Sequence, residues 1–138
     1  MFSRVLIAFV IASIAGVAFG EQSEDTPEPV SFRSVLIRDL TKYFVPQYGE
    51  DIAVDYQLFR GGPTITGISY PKYYLWLTVS QSGKTRVEGA ARVAAIHKHF
   101  EVTDFIFREV INNRPELLER AFPKALISAI RAKAASSQ

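Results

Sequence analysis

The chain contains no cysteine, one methionine, one tryptophan and two histidines in 138 residues. Without cysteine there is no disulfide, no thiolate nucleophile and no sulfur-ligated zinc site. Both histidines lie in the tripeptide His97-Lys98-His99, which leaves few routes to a histidine-activated nucleophile. The glycine loop that cradles phosphate, the dinucleotide fingerprint, the serine elbow and the His-Glu-x-x-His pair are also missing from the sequence. Neither sign of charge dominates, with 16 Lys and Arg against 14 Asp and Glu. The dense basic clustering of a nucleic-acid binder is absent, and no nucleic-acid partner is expected. These absences point away from an enzyme and call for no cofactor.

What is present begins with an export signal. Met1-Phe2-Ser3-Arg4 precedes an apolar run from Val5 to Val17, and the small residues Ala18 and Gly20 stand at the third-last and last positions of the leader. That order is a secretory signal peptide over residues 1–20, cut before Glu21. The alternative is an uncleaved anchor, which would confine membrane contact to this segment. The run is short beside the roughly 20 apolar residues of a spanning helix. An exported chain without cysteine is expected in the periplasm, or secreted. Residues 21–30 carry four acids, two prolines and almost nothing apolar, and composition predicts a disordered spacer. Residues 31–138 then form one domain, with fifteen bases against ten acids. The net +5 is a mild positive field that favours anionic partners or membrane surfaces.

The spacing of apolar residues predicts an α+β fold: an N-terminal helix packed on a curved antiparallel sheet of three to four strands, followed by short C-terminal helices. Ser31 is a good N-cap, and Phe32, Val35, Leu36, Leu40, Tyr43 and Phe44 recur at helical spacing until Pro46 and Gly49. Asp51 to Phe59 alternates as a half-buried strand. Arg60-Gly61-Gly62-Pro63 breaks it, and Thr64 to Ser69 reads as a short return strand bulged at Gly67. The next strand sets Tyr73, Leu75, Leu77 and Val79 on one face and Tyr74, Trp76, Thr78 and Ser80 on the other. Gln81-Ser82-Gly83-Lys84 is a hairpin connection. The run from Thr85 to Phe100 divides between two readings: its alanines favour helix, while Gly89 and the hairpin favour a strand with a bulge at Gly89-Ala90. The strand is the preferred reading. Beyond Glu101 the pattern predicts a helix from Asp104 to about Ile111, a second opened by Pro115, and a last one opened by Pro123 with Leu126, Ile127 and Ile130 inward. Residues 134–138 are expected to fray.

Three groups of residues are candidates for function. His97, His99 and Glu101 fall on one face if they share a strand, and two imidazoles and a carboxylate suit a metal, with Asp104 as a fourth ligand. Tyr56, Phe59, Tyr73 and Trp76 would line a small-ligand pocket if the sheet encloses a cavity, with Asp55 or Asp104 as an acid. Arg60, Tyr70, Lys72 and Tyr74, at the glycine loop and the strand entry, form a candidate partner surface. Gln57-Leu58-Phe59-Arg60-Gly61 resembles the Gln-x-Val-x-Gly hairpin of cystatin-type protease inhibitors over five residues. It departs at the centre, where Phe59 stands, and no later Pro-Trp pair accompanies it. A helix gripped by an antiparallel sheet is similar to cystatin-like and NTF2-like arrangements, but fold analogy does not transfer function. The expectation is a small exported binding or accessory protein acting through a protein or lipid-like partner. The alternatives are a pocket protein for a small apolar ligand, carrier or enzyme, and a metal-binding protein.

Overall fold

The computed structural model describes residues 24–136; the signal-peptide reading lies outside them. Helix α1 (Phe32–Tyr48) is followed by β1 (Ile52–Leu58), β2 (Lys72–Gln81), β3 (Lys84–Ile96) and β4 (His99–Phe107), then α2 (Arg108–Asn113), a 3-10 helix (Pro115–Arg120) and α3 (Lys124–Ser136). The four strands form one antiparallel sheet in the order β1-β2-β3-β4. The fold is α+β, with α1 on one face of the sheet and the C-terminal helices on the other.

Helix α1 turns one apolar stripe inward. Leu36, Leu40 and Phe44 are completely or almost completely buried. Fully burying such side chains is worth about 1.5–3 kcal/mol each. The helix approaches the edge strands β1 and β4 more closely than the central pair, so the sheet curls round it as a trough. Two bulges contribute to that curl. Pairing shifts from Val79–Val87 to Ser80–Thr85, leaving Arg86 as the extra residue in β3. It shifts again from Arg92–Asp104 to Val93–Val102, leaving Thr103 extra in β4. Thr103 Oγ1 donates to the Arg92 carbonyl at 3.0 Å and accepts from Arg92 Nε at 3.0 Å, which secures the second bulge.

The central strands are buried on both faces, and their residues divide by parity as the alternation predicts. Tyr73, Leu75, Leu77 and Val79 meet α1, whereas Tyr74 and Trp76 meet Ile111, Leu118, Phe122 and Ile130. Residues 84–96 are strand throughout, and the alanines serve close packing: Ala91 and Ala95 belong to the α1 side and Ala90 to the other. The bulge does not fall at Gly89. That residue is a glycine because a Cβ would run into the Ile106 carbonyl and lie 2.9 Å from the Phe105 ring.

Four expectations change. Residues 99–107 continue the sheet as β4, so helix begins only at Arg108; the alternating burial of this stretch is shifted by the extra Thr103, which hides the strand period. Thr64–Ser69 forms no strand and pairs only through a bridge from Thr64 to Lys72. Helix α3 continues through Ser136 because Ala134 is fully buried against the sheet. The acidic segment 24–30, whose composition predicts no fixed structure, lies along the β3–β4 turn. His97 and Lys98 both have positive φ there, a hairpin turn that costs non-glycine residues strain. Asp25 Oδ1 accepts the His97 N–H at 3.1 Å, the Asp25 carbonyl accepts the Lys98 N–H at 2.8 Å, and Pro27 is buried beside them. Acceptors for a strained turn supply what the segment lacks in apolar surface.

Replacing Gly89 by Ala is expected to destabilise the domain by about 1–3 kcal/mol, the usual cost of overpacking. Gly61, with nothing within 4 Å of its virtual Cβ, is the neutral control. Urea titrations of Gly89→Ala and Gly61→Ala check this; equal midpoints would contradict the close approach at Gly89.

Candidate functional site

One end of the sheet gathers the carboxyl end of β1, the start of β2, the β3–β4 turn, the first turn of α1 and the segment 24–30. An open groove of about 660 Å³ lies here. Its lining is apolar and stiff: Pro27, Pro29 and Phe32 on one side, Leu58, Pro63 and Ile65 on the other, with Tyr73 on the sheet between them. Phe32, Tyr73 and Phe100 pack edge-to-face at 5.2–5.8 Å and hold the groove's inner wall. Tyr73 is largely buried. That desolvation raises its phenol pKa above the ordinary 10.0, and a hydrogen bond to Thr26 partly opposes the shift. A second hollow, of about 580 Å³, lies among the C-terminal helices, ringed by Asn112, Glu119, Lys124 and Arg131. Among the described residues no exposed large apolar side chain borders it.

The connection from Phe59 to Pro71 overhangs the groove, and its base is pinned. Phe59 N donates to the Tyr74 carbonyl, and Thr64 and Lys72 exchange two backbone hydrogen bonds of 2.9 Å. Thr64 Oγ1 and the Tyr74 hydroxyl are 2.8 Å apart. Above this base the chain makes a turn, with Ser69 N donating to the Thr66 carbonyl and Gly67 at φ +56°. The turn presents Ile68 entirely to solvent, at 105% relative exposure, between Ile65 at 51% and Tyr70 at 41%. Tyr70 stands edge-on to His97 at 6.2 Å.

Of the candidate partner residues, Arg60 and Tyr70 are exposed on this loop. Lys72 is half-buried at its base, its ammonium donating to the Tyr70 carbonyl at 2.9 Å. Tyr74 is not a surface residue: it is 5% exposed and packs on Phe122. Ile65 and Ile68 were missed by sequence reasoning. Their signal was two isoleucines in a stretch of glycine, threonine and serine, read instead as β-branched strand.

The four candidate ligand-binding residues do not share one cavity, although Tyr56 and Trp76, with the candidate acid Asp55, border a small pocket of about 230 Å³. Tyr56 and Tyr73 face α1, while Phe59 and Trp76 face the C-terminal helices. The sheet lies between the two pairs, Tyr56 and Trp76 meeting only at that small pocket, and of the four only Tyr73 reaches the groove. Trp76 is 2% exposed, its indole N–H buried without a hydrogen-bond partner. Asp55 is exposed and 4.0 Å from Arg33. Asp104 Oδ2 lies 2.6 Å from Arg92 Nη2, close enough for an ion pair though not aligned as a hydrogen bond.

The metal-ligand candidates also separate. His97 belongs to the β3–β4 turn and not to a strand, so the period that would align it with His99 and Glu101 is broken. His99 Nδ1 accepts from the Arg38 guanidinium at 2.9 Å, so a cation already occupies that lone pair. Among the described residues no group of three or more His, Asp or Glu side chains is placed to hold a metal ion.

No family model, curated protein or solved structure matches this chain. The groove and its loop therefore stand on their own geometry.

Two outcomes follow for the tyrosines. Tyr74→Ala is expected to cost about 3–5 kcal/mol, as for a large aromatic removed from a core, while Tyr70→Ala leaves thermal stability within about 0.5 kcal/mol, as at an exposed site. Comparable losses in the two variants, read by calorimetry, would contradict this division. Tyr73 has a folded pKa above its unfolded one, so its contribution to stability is complete below about pH 10. It is lost as pH rises through the folded pKa. Tyrosinate absorbance during alkaline titration should show one phenol ionising later than the exposed ones, and that late step should vanish in Tyr73→Phe.

Proposed function

We propose that this chain is a small exported binding or accessory protein whose partner surface is the Phe59–Pro71 loop and the groove beneath it. One observation carries the reading. Half of the exposed large apolar side chains among the described residues, Ile65, Ile68 and Tyr70, fall within this one loop. Contiguous exposed apolar surface on a soluble domain marks an interaction site more often than chance. The loop is fastened at its base by paired backbone bonds and the Thr64–Tyr74 contact. A fastened base lowers the ordering cost of presenting these side chains to a partner. The groove beside it offers an apolar channel for an extended or chain-like part of the same partner. Export rests on the leader-like residues 1–20.

Two measurements test this. Mass spectrometry of the protein recovered from the exported fraction should find Glu21 as the first residue; a full-length product retained in the cytoplasm would overturn export. A photo-crosslinking amino acid placed at position 65 or 68 in cells should give adducts, to protein or to lipid, that the same group at the exposed hairpin position 82 does not. Equal or absent adducts at the three positions would remove the loop as a binding surface.

A further inference from the structure

Resting on that reading, we infer that the partner of the Phe59–Pro71 loop is an anionic lipid surface, entered by Ile65, Ile68 and Tyr70. The loop's shape is the first argument. Ile68 is fully exposed, so it forms a knuckle and not a socket. A knuckle needs either a matching pocket or a deformable apolar medium. The flanking chemistry selects the second. From Tyr56 to Val87 the sequence has no acidic residue; of the four bases within it, Arg60 and Lys72 lie at the loop, while Lys84 and Arg86 lie at the opposite end of the sheet. Arg60 is exposed at the loop's entry and Lys72 stands at its exit, its ammonium fixed beside the Tyr70 carbonyl. Two isoleucines at the tip, a tyrosine on the flank and bases behind them follow the depth order of a lipid interface. Aliphatic groups enter the acyl region, tyrosine sits at headgroup level and cations meet anionic headgroups.

Two acids at this end of the molecule are engaged, while Glu24 and Glu101 are exposed there. Asp25 accepts the His97 N–H, and Glu28 lies 3.7 Å from the Lys98 ammonium. The groove beginning at Ile65 continues the apolar surface toward Phe32. It gives a displaced acyl chain somewhere to lie.

The chain has no cysteine, so Ile68→Cys carries a single polarity-sensitive nitrobenzoxadiazole dye. The full chain labelled there is mixed with phosphatidylcholine vesicles, with and without phosphatidylglycerol. The readout is local to residue 68, so attachment through residues 1–20 does not produce it; the same dye on Ser82→Cys is the control. A several-fold, blue-shifted rise at 68 on phosphatidylglycerol vesicles, with none at 82, is expected. Adding Arg60→Glu and Lys72→Glu should cut that rise on the order of tenfold in apparent affinity. Arg60→Glu alone should act in the same direction should the Lys72 change disturb the strand entry, as circular dichroism would reveal. Dye that stays aqueous at 68 on both vesicles overturns the inference. If position 68 still crosslinks to a protein in cells, the binding surface stands and its partner is a protein. An equal rise on neutral vesicles overturns the role of charge.

Discussion

The curl of the sheet around α1 is the constraint on which the remaining architecture depends. A flat four-stranded sheet would touch a helix mainly through its central strands. Here the edge strands approach α1 most closely, so Leu36, Leu40 and Phe44 enter a trough and lose all contact with water. The curl requires bulges at Arg86 and Thr103 and small residues along β3. It also leaves the outer face of the sheet convex, and the C-terminal helices must cover it. Their buried residues, Ile111, Leu118, Phe122 and Ile130, meet Tyr74 and Trp76 there.

The C-terminal end and the middle of α1 are fastened to the sheet. At the far end, Gln81 Nε2 donates to the Tyr48 carbonyl at 2.7 Å and to Asp51 Oδ1 at 2.6 Å. The amide thus satisfies one of the carbonyls a helix terminus leaves unpaired. At the middle of the helix, Asp39 Oδ2 accepts the Phe100 N–H at 2.8 Å. With the helix held in this way, Phe32 in its first turn packs on Tyr73 and Phe100. The segment 24–30 closes one side, the Phe59–Pro71 loop the other, and the aromatic contacts of Phe32, Tyr73 and Phe100 form the floor. The groove is thus a consequence of how the trough ends, and it does not penetrate the core.

The candidate sites fared according to whether chemistry or geometry named them. The His97-Lys98-His99-Phe100-Glu101 spacing had the right donors, but a metal needs them on one face. A two-residue turn at His97 and Lys98 removes that face, and no sequence period announces it because neither residue is glycine or asparagine. The aromatic set Tyr56, Phe59, Tyr73 and Trp76 mixed two strand faces. Tyr73 and Trp76 are three residues apart on one strand, so alternation already places them on opposite sides. The exposure of Arg60 and Tyr70 was legible because a glycine-proline break next to a strand marks an exposed loop.

By itself the sequence left helix and strand both open for β3, and it determined helix α1, the first two strands, the hairpin and the division of β2 into two faces. These follow from local periods of two and 3.6 that the short-range chain geometry enforces. It did not reveal β4, because one extra residue, Thr103, resets the alternation and only pairing with Arg92 and Val93 shows where. Nor did it order residues 24–30, whose acceptors matter only once a distant turn offers them N–H groups. The exposure of Ile65 and Ile68 was likewise decided in three dimensions. β-branched residues suit a strand or an exposed loop tip equally well, and the Thr64–Lys72 bridge, by ending the ladder there, turned them outward.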